Sequence, residues 1–179
     1  ACSPWKVITQ KDPNPFTSQS KIYIADIDYS QVRVRQKTKI KSEAEFLANR
    51  DADQNQRWQR DKKQVSDTFK QVIADRADDL QYISNQPKGA VVVTPVATFM
   101  DPGISLGLSS TPARIELRVV LSVDGEKIDE IVMASEYTQG QSSILGIPTG
   151  GYTGSVRLQK VATTLGKWTA KYLHKRMGG

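Results

Sequence analysis

Ile115-Glu116-Leu117-Arg118-Val119-Val120-Leu121-Ser122-Val123, followed by Asp124-Gly125 and then residues 127–137, is the stretch whose reading decides the fold. In the first arm apolar residues at every second position, Ile115 to Val123, put one face into a core, and β-branched side chains in both arms suit the pleat. Asp-Gly tolerates positive φ at both central positions of a two-residue turn, so the stretch reads as an antiparallel β-hairpin. Upstream, residues 90–99 begin with Ala90-Val91-Val92-Val93 and read as a buried strand. Pro95 withholds one ladder donor there and favours an edge position or a bulge. Asp101-Pro102-Gly103 closes that strand with turn chemistry.

Outward from this block the pattern changes period. Downstream, Leu158, Val161, Leu165, Trp168 and Tyr172 step by three and four, which is one buried helical face, and Ser155 is the expected cap. Between hairpin and helix, residues 139–154 hold five glycines and no charge, and read as a mobile loop. Upstream, Ser42 and Glu45 have capping-box spacing ahead of Phe46 and Leu47. Trp58, Val65, Phe69, Val72, Ile73 and Leu80 continue a helical stripe. The polar run 48–56 is either an exposed first part of that helix or a loop between a short helix and a longer one. Residues 21–29 read as the first strand of the domain, with Tyr23, Ala25, Ile27 and Tyr29 on one face.

These elements predict an α+β two-layer sandwich in the order β-α-β-β-β-α, about four strands in a mixed sheet with two helices, and the strand at 21–29 parallel to that at 90–99. Residues 1–20 contain Pro4, Pro13 and Pro15, and read as a flexible N-terminal tether in which only Trp5-Lys6-Val7-Ile8 could pair. Residues 21–179 form the single domain.

Composition limits the function. The 179 residues are 38% hydrophobic and 25% charged, as in an ordinary globular chain. One Cys and one His, Cys2 and His174, leave no material for a Cys/His zinc site or a His-based triad. No cofactor is implied. The net charge of +6 is uneven: residues 137–179 carry six basic side chains and no acidic one. Such asymmetry suits nucleic acid, anionic lipid or another polyanion, and also plain solubility. Within residues 32–41, Arg33, Arg35, Lys37, Lys39 and Lys41 alternate, so an extended segment would carry one cationic face. These five are candidate partner-binding residues. Trp58, beside Gln59 and Arg60, is a sixth, because an exposed Trp next to Arg is a common interface anchor. Burial under the N-terminal segment is its alternative.

Other groups point to structure more than to chemistry. Asp26 and Asp28, two apart on a strand, merely share a face. Asp51, Asp53 and Asp61 lie among Arg50, Arg57 and Arg60, where ion pairs within the helix are expected. Gly150-Gly151-Tyr152-Thr153-Gly154-Ser155 lacks the Gly-Lys-Ser/Thr ending of a phosphate loop. His174 reads as an exposed residue at a helix C-terminus.

Cys2 follows the small residue Ala1 and precedes Ser3 and Pro4. Bacterial lipoproteins are cut before such a Cys and acylated on its thiol, which predicts Cys2 as a lipid attachment point. Ser3 lacks the acidic character that retains many such proteins at the inner membrane, so the outer membrane, periplasmic face, is expected. The run Ala90-Val91-Val92-Val93-Thr94 through Phe99, Asp101-Pro102-Gly103, Val123-Asp124-Gly125-Glu126, the Gly-rich segment and the closing helix with Leu165-Gly166-Lys167 together resemble small bacterial envelope lipoproteins whose domain is similar to the amino-terminal domain of TolB and to the penicillin-binding-protein activator LpoB. The longer polar segment 48–56 departs from that pattern. The resemblance implies no catalytic residues, and hence a scaffold or adaptor that binds an envelope protein or an anionic membrane or polyanion surface. A basic nucleic-acid-binding domain is the alternative function; the absence of aromatics within the basic stripe speaks against it, because single-strand binders stack bases on such rings.

Overall fold

The computed structural model describes residues 2–106, 109–138 and 154–178. The expected hairpin forms as β9 (Ala113–Val123) and β10 (Glu126–Tyr137), with Val123 opposite Glu126 and positive φ at Asp124 and Gly125. Inside it, Ile115, Leu117, Val119 and Leu121 are all but inaccessible. β6 (Val91–Asp101) pairs antiparallel with β9 along its length. β2 (Lys21–Ile24) lies parallel to β6, as expected, with Ile22 and Ile24 on its core side and Tyr23 on the other.

The expectation of about four strands and two helices is overturned, although the class remains α+β. Among the described residues the main sheet has eight strands, mixed in direction, and there are three helices. The additional strands are short. β1 (Trp5–Gln10) pairs antiparallel with β10 at one edge. β3 (Arg33–Gln36) pairs parallel with the end of β6, and β4 (Lys39–Ser42) pairs antiparallel with β3. β5 (Gln81–Tyr82) adds two residues beside β2. β7 (Ile104–Leu106) and β8 (Ser109–Thr111) form a separate two-stranded sheet. Segments of two to four mixed polar residues show too few alternations to register as strands; long-range pairing makes them so.

Pro95 stands in a central strand and not at the edge position or bulge expected for it; the irregularity of β6 lies further on, between Ala97 and Phe99. The Pro95 carbonyl accepts the Asp28 N–H at 2.8 Å, and Asp28 O accepts the Ala97 N–H at 2.9 Å. Along this flank β6 pairs with β2 at Val91–Val93 and with β3 at Phe99 and Met100. Pro95 falls in the gap between the two partners, where the irregular segment 25–32 runs and a missing donor is tolerated.

α1 (Glu43–Ala48) is capped by Ser42, whose hydroxyl accepts the Glu45 N–H. The chain then breaks, and the full capping box is at Asp51 and Gln54, opening α2 (Ala52–Arg76). Of the two readings of residues 48–56, the short helix followed by a longer one is the one that forms. α3 (Gly154–Met177) begins before Ser155, which therefore lies within the helix, its hydroxyl bonded to Asp61 of α2. Further along, Gln159 reaches Gln64 and His174 reaches Asp79, so α2 and α3 run side by side in the same direction. At their crossing Gly166 allows the closest approach: a Cβ there would sit 2.9 Å from Val72 Cβ. The second layer is built from these two helices, with α3 over β9 and β10. Residues 139–153, expected as a mobile loop, lie outside the described residues.

The segment expected to be a flexible tether is instead fixed by the pairing of β1 with β10 and by two buried side chains, Trp5 and Phe16. Trp5 meets the Tyr172 ring edge-on at 5.6 Å between centroids, and Phe16 is buried under Arg176, whose guanidinium lies 5.5 Å from the ring centre.

Candidate functional site

The five alternating cations do not form one extended face. Gln36 pairs with Lys39 across the two-residue turn Lys37-Thr38, and Lys37 has φ 58°. With this register every residue of β3 stands opposite one of the other parity, and directly opposed residues share a face. Arg33 and Arg35 therefore lie with Ser42 and Ile40, while Lys39 and Lys41 lie on the other face with Gln36 and Val34. The turn divides the stripe. Lys41 Nζ donates to Gln36 Oε1 at 3.1 Å. Arg33, Lys37 and Lys39 are exposed, and among the described residues no carboxylate lies within ion-pair distance of them.

Arg35 differs from the others in having a countercharge. Its Nε stands 3.2 Å from Asp101 Oδ2, and its guanidinium carbon 5.6 Å from the Phe99 ring centre. Asp101 Oδ1 accepts the Gly103 N–H at 2.9 Å. Arg157, near the start of α3, donates from Nε to Pro102 O and from Nη2 to Gly103 O, both at 3.1 Å. Gly103 has φ 71°, and a Cβ there would lie 2.6 Å from Thr111 O. Asp-Pro-Gly thus joins β3, β6, β8 and α3 at one end of the molecule. Burial pushes the Asp101 carboxyl above its ordinary value, against the opposing pull of the Gly103 N–H and of Arg35 and Arg157.

Trp58 is not a surface anchor. Only 2% of it is exposed; it packs edge-on against Phe46 at 4.9 Å, and its indole N–H donates to Glu43 Oε2 at 2.9 Å. The covering element is α1, not the N-terminal segment. Lys62 Nζ closes on the same Glu43 oxygen at 2.9 Å. Cys2 is a free, exposed thiol.

The acidic groups are likewise separated. Asp26 pairs with Lys70 at 2.8 Å, whereas Asp28 accepts the Ser30 N–H at 2.8 Å, and hydrogen bonding from Ser30 lowers the Asp28 carboxyl. Asp51 caps α2 and Asp61 binds Ser155, so the intrahelical ion pairs expected with Arg50, Arg57 and Arg60 are not formed among the described residues. Arg50 instead lies 4.4 Å from the Phe46 ring centre. His174 lies in the last turn of α3 as expected, but is half-buried against Asp79 and not exposed. Among the described residues no group of three or more His, Cys, Asp or Glu is placed to hold a metal, and no helix is long and apolar enough to cross a membrane. Of the glycine-rich stretch, residues 150–153 lie outside the described residues.

A second ionic centre, not anticipated from the sequence, is Asp129 on the helix-facing side of β10. It is wholly buried and accepts from Arg176 Nε at 2.7 Å and Nη2 at 3.1 Å, Tyr172 OH at 2.9 Å and the Lys11 N–H at 3.2 Å. Burial and the adjacent carboxylate push the Tyr172 phenol up. Arg176 also donates to Lys11 O at 3.0 Å, and Asn14 Nδ2 donates to Arg176 O at 2.7 Å. This centre clamps residues 10–16 onto α3. Its sequence signal was parity: Asp129 has the phase of the inward Ile131 and Met133, and Arg176 follows Tyr172 by one helical turn.

The chain is thus an α+β domain with a helix layer on a mixed sheet, and its exposed cations include Arg33, Lys37 and Lys39 at the β3–β4 turn and four lysines along α3. No family model and no curated protein matches it. Solved structures similar to it include a PelC dodecamer from Paraburkholderia phytofirmans, at 7% identity over 92% of this chain and 96% of that one, TM-score 0.45. Another is a Xanthomonas campestris protein described as DUF330, at 10% identity over 93% and 90%, TM-score 0.48.

Proposed function

We propose that this protein is a non-catalytic adaptor of the bacterial envelope, of the kind to which the TolB- and LpoB-like resemblance points, held at the periplasmic face of the outer membrane by lipid on Cys2. Its β3–β4 turn engages an acidic protein or other polyanionic partner. The observation that carries the binding half is the turn itself: Arg33, Lys37 and Lys39 project without a countercharge among the described residues, while Arg35 and Lys41 hold the hairpin in place. Exposed unpaired cations attract a polyanion through a field that salt screens, over about 10 Å at 0.1 M ionic strength. The anchoring half is supported by Cys2 being exposed and the one cysteine of the sequence.

Two measurements test this. Mass spectrometry of protein made in a bacterium should find acyl groups on Cys2, and Cys2→Ala should move the protein from the membrane to the soluble fraction. An unacylated Cys2 refutes the anchor. Polyglutamate, as a probe of acidic partners, should bind the parent protein in low salt and bind the variant Arg33→Gln, Lys37→Gln, Lys39→Gln much more weakly. Equal binding refutes the hairpin as the contact. Tight duplex-DNA binding with a steep salt slope would make the protein a nucleic-acid-binding domain instead.

A further inference from the structure

The four exposed residues of α3 are all lysines: Lys160, Lys167, Lys171 and Lys175. At 100° per residue the last three fall within about 80° of one another and of Lys160, and the set spans about 22 Å at roughly 1.5 Å per residue. The helix contains no acidic residue. Among the described residues, the carboxylates that reach α3 from neighbouring elements are held by its other side chains: Asp61 by Ser155, Asp79 by His174, and Asp129 by Tyr172 and Arg176. None of them forms an ion pair with the four lysines.

Solvation alone does not produce such a face. α2, in the same layer, exposes both signs: Arg57, Arg60, Lys63 and Arg76 are interspersed with Asp53, Asp67 and Asp75, and Lys63 stands 2.6 Å from Asp67. Surfaces kept polar for solubility mix charges in this way, because a line of like charges raises its own energy. A straight row of unpaired ammonium groups instead matches a flat anionic surface.

The position of the proposed anchor gives that surface an identity. Trp5 packs on Tyr172, one residue from Lys171. Cys2 precedes Trp5 by three residues, a reach of at most about 11 Å at full extension. An acyl chain on Cys2 would therefore enter a bilayer beside α3. One acyl anchor plus a polybasic patch is a combination that holds a protein on a membrane stably.

We infer that the lysine face of α3 is a docking surface for an anionic phospholipid bilayer, on which it lays the domain flat beside the Cys2 anchor. This rests on the envelope reading for the source of the lipid, but the contact is separate from the β3–β4 turn.

Full-length, unacylated protein is sedimented with vesicles of about 30% phosphatidylglycerol in phosphatidylcholine and with pure phosphatidylcholine, across a salt series. The parent should bind the anionic vesicles alone. Lys167→Gln, Lys171→Gln, Lys175→Gln should weaken partitioning roughly 100-fold, at about fivefold per lysine, with an unchanged unfolding midpoint because all three side chains are in solvent. The Arg33→Gln, Lys37→Gln, Lys39→Gln variant should bind vesicles within about twofold of the parent. The inference is overturned if the parent ignores anionic vesicles, if the hairpin variant loses vesicle binding while the α3 variant keeps it, or if the α3 variant loses binding only to duplex DNA. The hairpin proposal stands or falls on polyglutamate, so the two fail separately.

Discussion

Asp129→Asn removes a charge and almost no volume from a site with no solvent to take its place. Two carboxylate oxygens there accept four hydrogen bonds, at 2.7, 3.1, 2.9 and 3.2 Å, and Asp129 is 0% and Arg176 8% exposed. The amide has one acceptor oxygen and turns an N–H₂ group towards donors. The guanidinium is left buried without a countercharge, a loss of about 3–5 kcal/mol for a broken buried pair. That is a fifth or more of the roughly 5–15 kcal/mol that stabilises an ordinary domain. At about 2–4 °C per kcal/mol for a chain of this size, the midpoint should fall by about 6–20 °C. Urea unfolding followed by tryptophan fluorescence reads this, with Trp5 against Tyr172 as the local reporter. Asp129→Leu combined with Arg176→Met should recover most of the loss, because an apolar pair carries no desolvation cost. The same double variant should free residues 10–16 to proteases, since Arg176 no longer holds Lys11 O. A loss below about 1 kcal/mol for Asp129→Asn, the size of an exposed ion pair, would refute the reasoning.

Three further outcomes follow from the packing. Trp58→Ala should cost about 3–5 kcal/mol in urea unfolding, as deletion of a fully buried ring does, and leave polyglutamate binding of the folded protein unchanged; a binding defect at full stability would restore Trp58 as a contact residue. Gly166→Ala should destabilise by about 1–3 kcal/mol despite its better helix propensity, because the new methyl meets Val72 Cβ at 2.9 Å; a raised melting temperature would show that the helices separate freely. The folded-state pKa of Asp101 lies above its ordinary 3.8, so between the two values the folded protein holds more protons than the unfolded chain, and stability falls as pH rises through that window. Asp101→Asn keeps an acceptor for the Gly103 N–H, and its stability relative to the parent should improve from pH 3 to pH 7; a trend in the opposite direction would mean that the pairing with Arg35 outweighs burial.

What could be read from the amino-acid sequence was whatever recurs over a long enough window. The β9–β10 hairpin was legible because apolar residues alternating from Ile115 to Val123 run into a dipeptide with one preferred turn, and α3 because its apolar positions keep one phase from Leu158 to Tyr172. The parallel pairing of β2 with β6 was legible from crossover geometry. Charge balance by segment was also visible, including the carboxylate-free end that became the lysine face of α3.

Tertiary structure alone decided the rest. Arg33 to Lys41 alternates as an unbroken strand would, and only the turn at Lys37-Thr38 shows that its cations separate to opposite faces. Trp58 has a polar neighbourhood in sequence, yet a separate helix, placed by the Asp51 cap, folds Phe46 and Glu43 over it. Asp129, Arg176 and Lys11 are each ordinary charged residues until a sheet edge and a helix end bring them within hydrogen-bond distance. Periodicity reports which side of an element faces the core, a local property of one backbone; which elements then meet depends on chain closure over more than a hundred residues, which no local window contains.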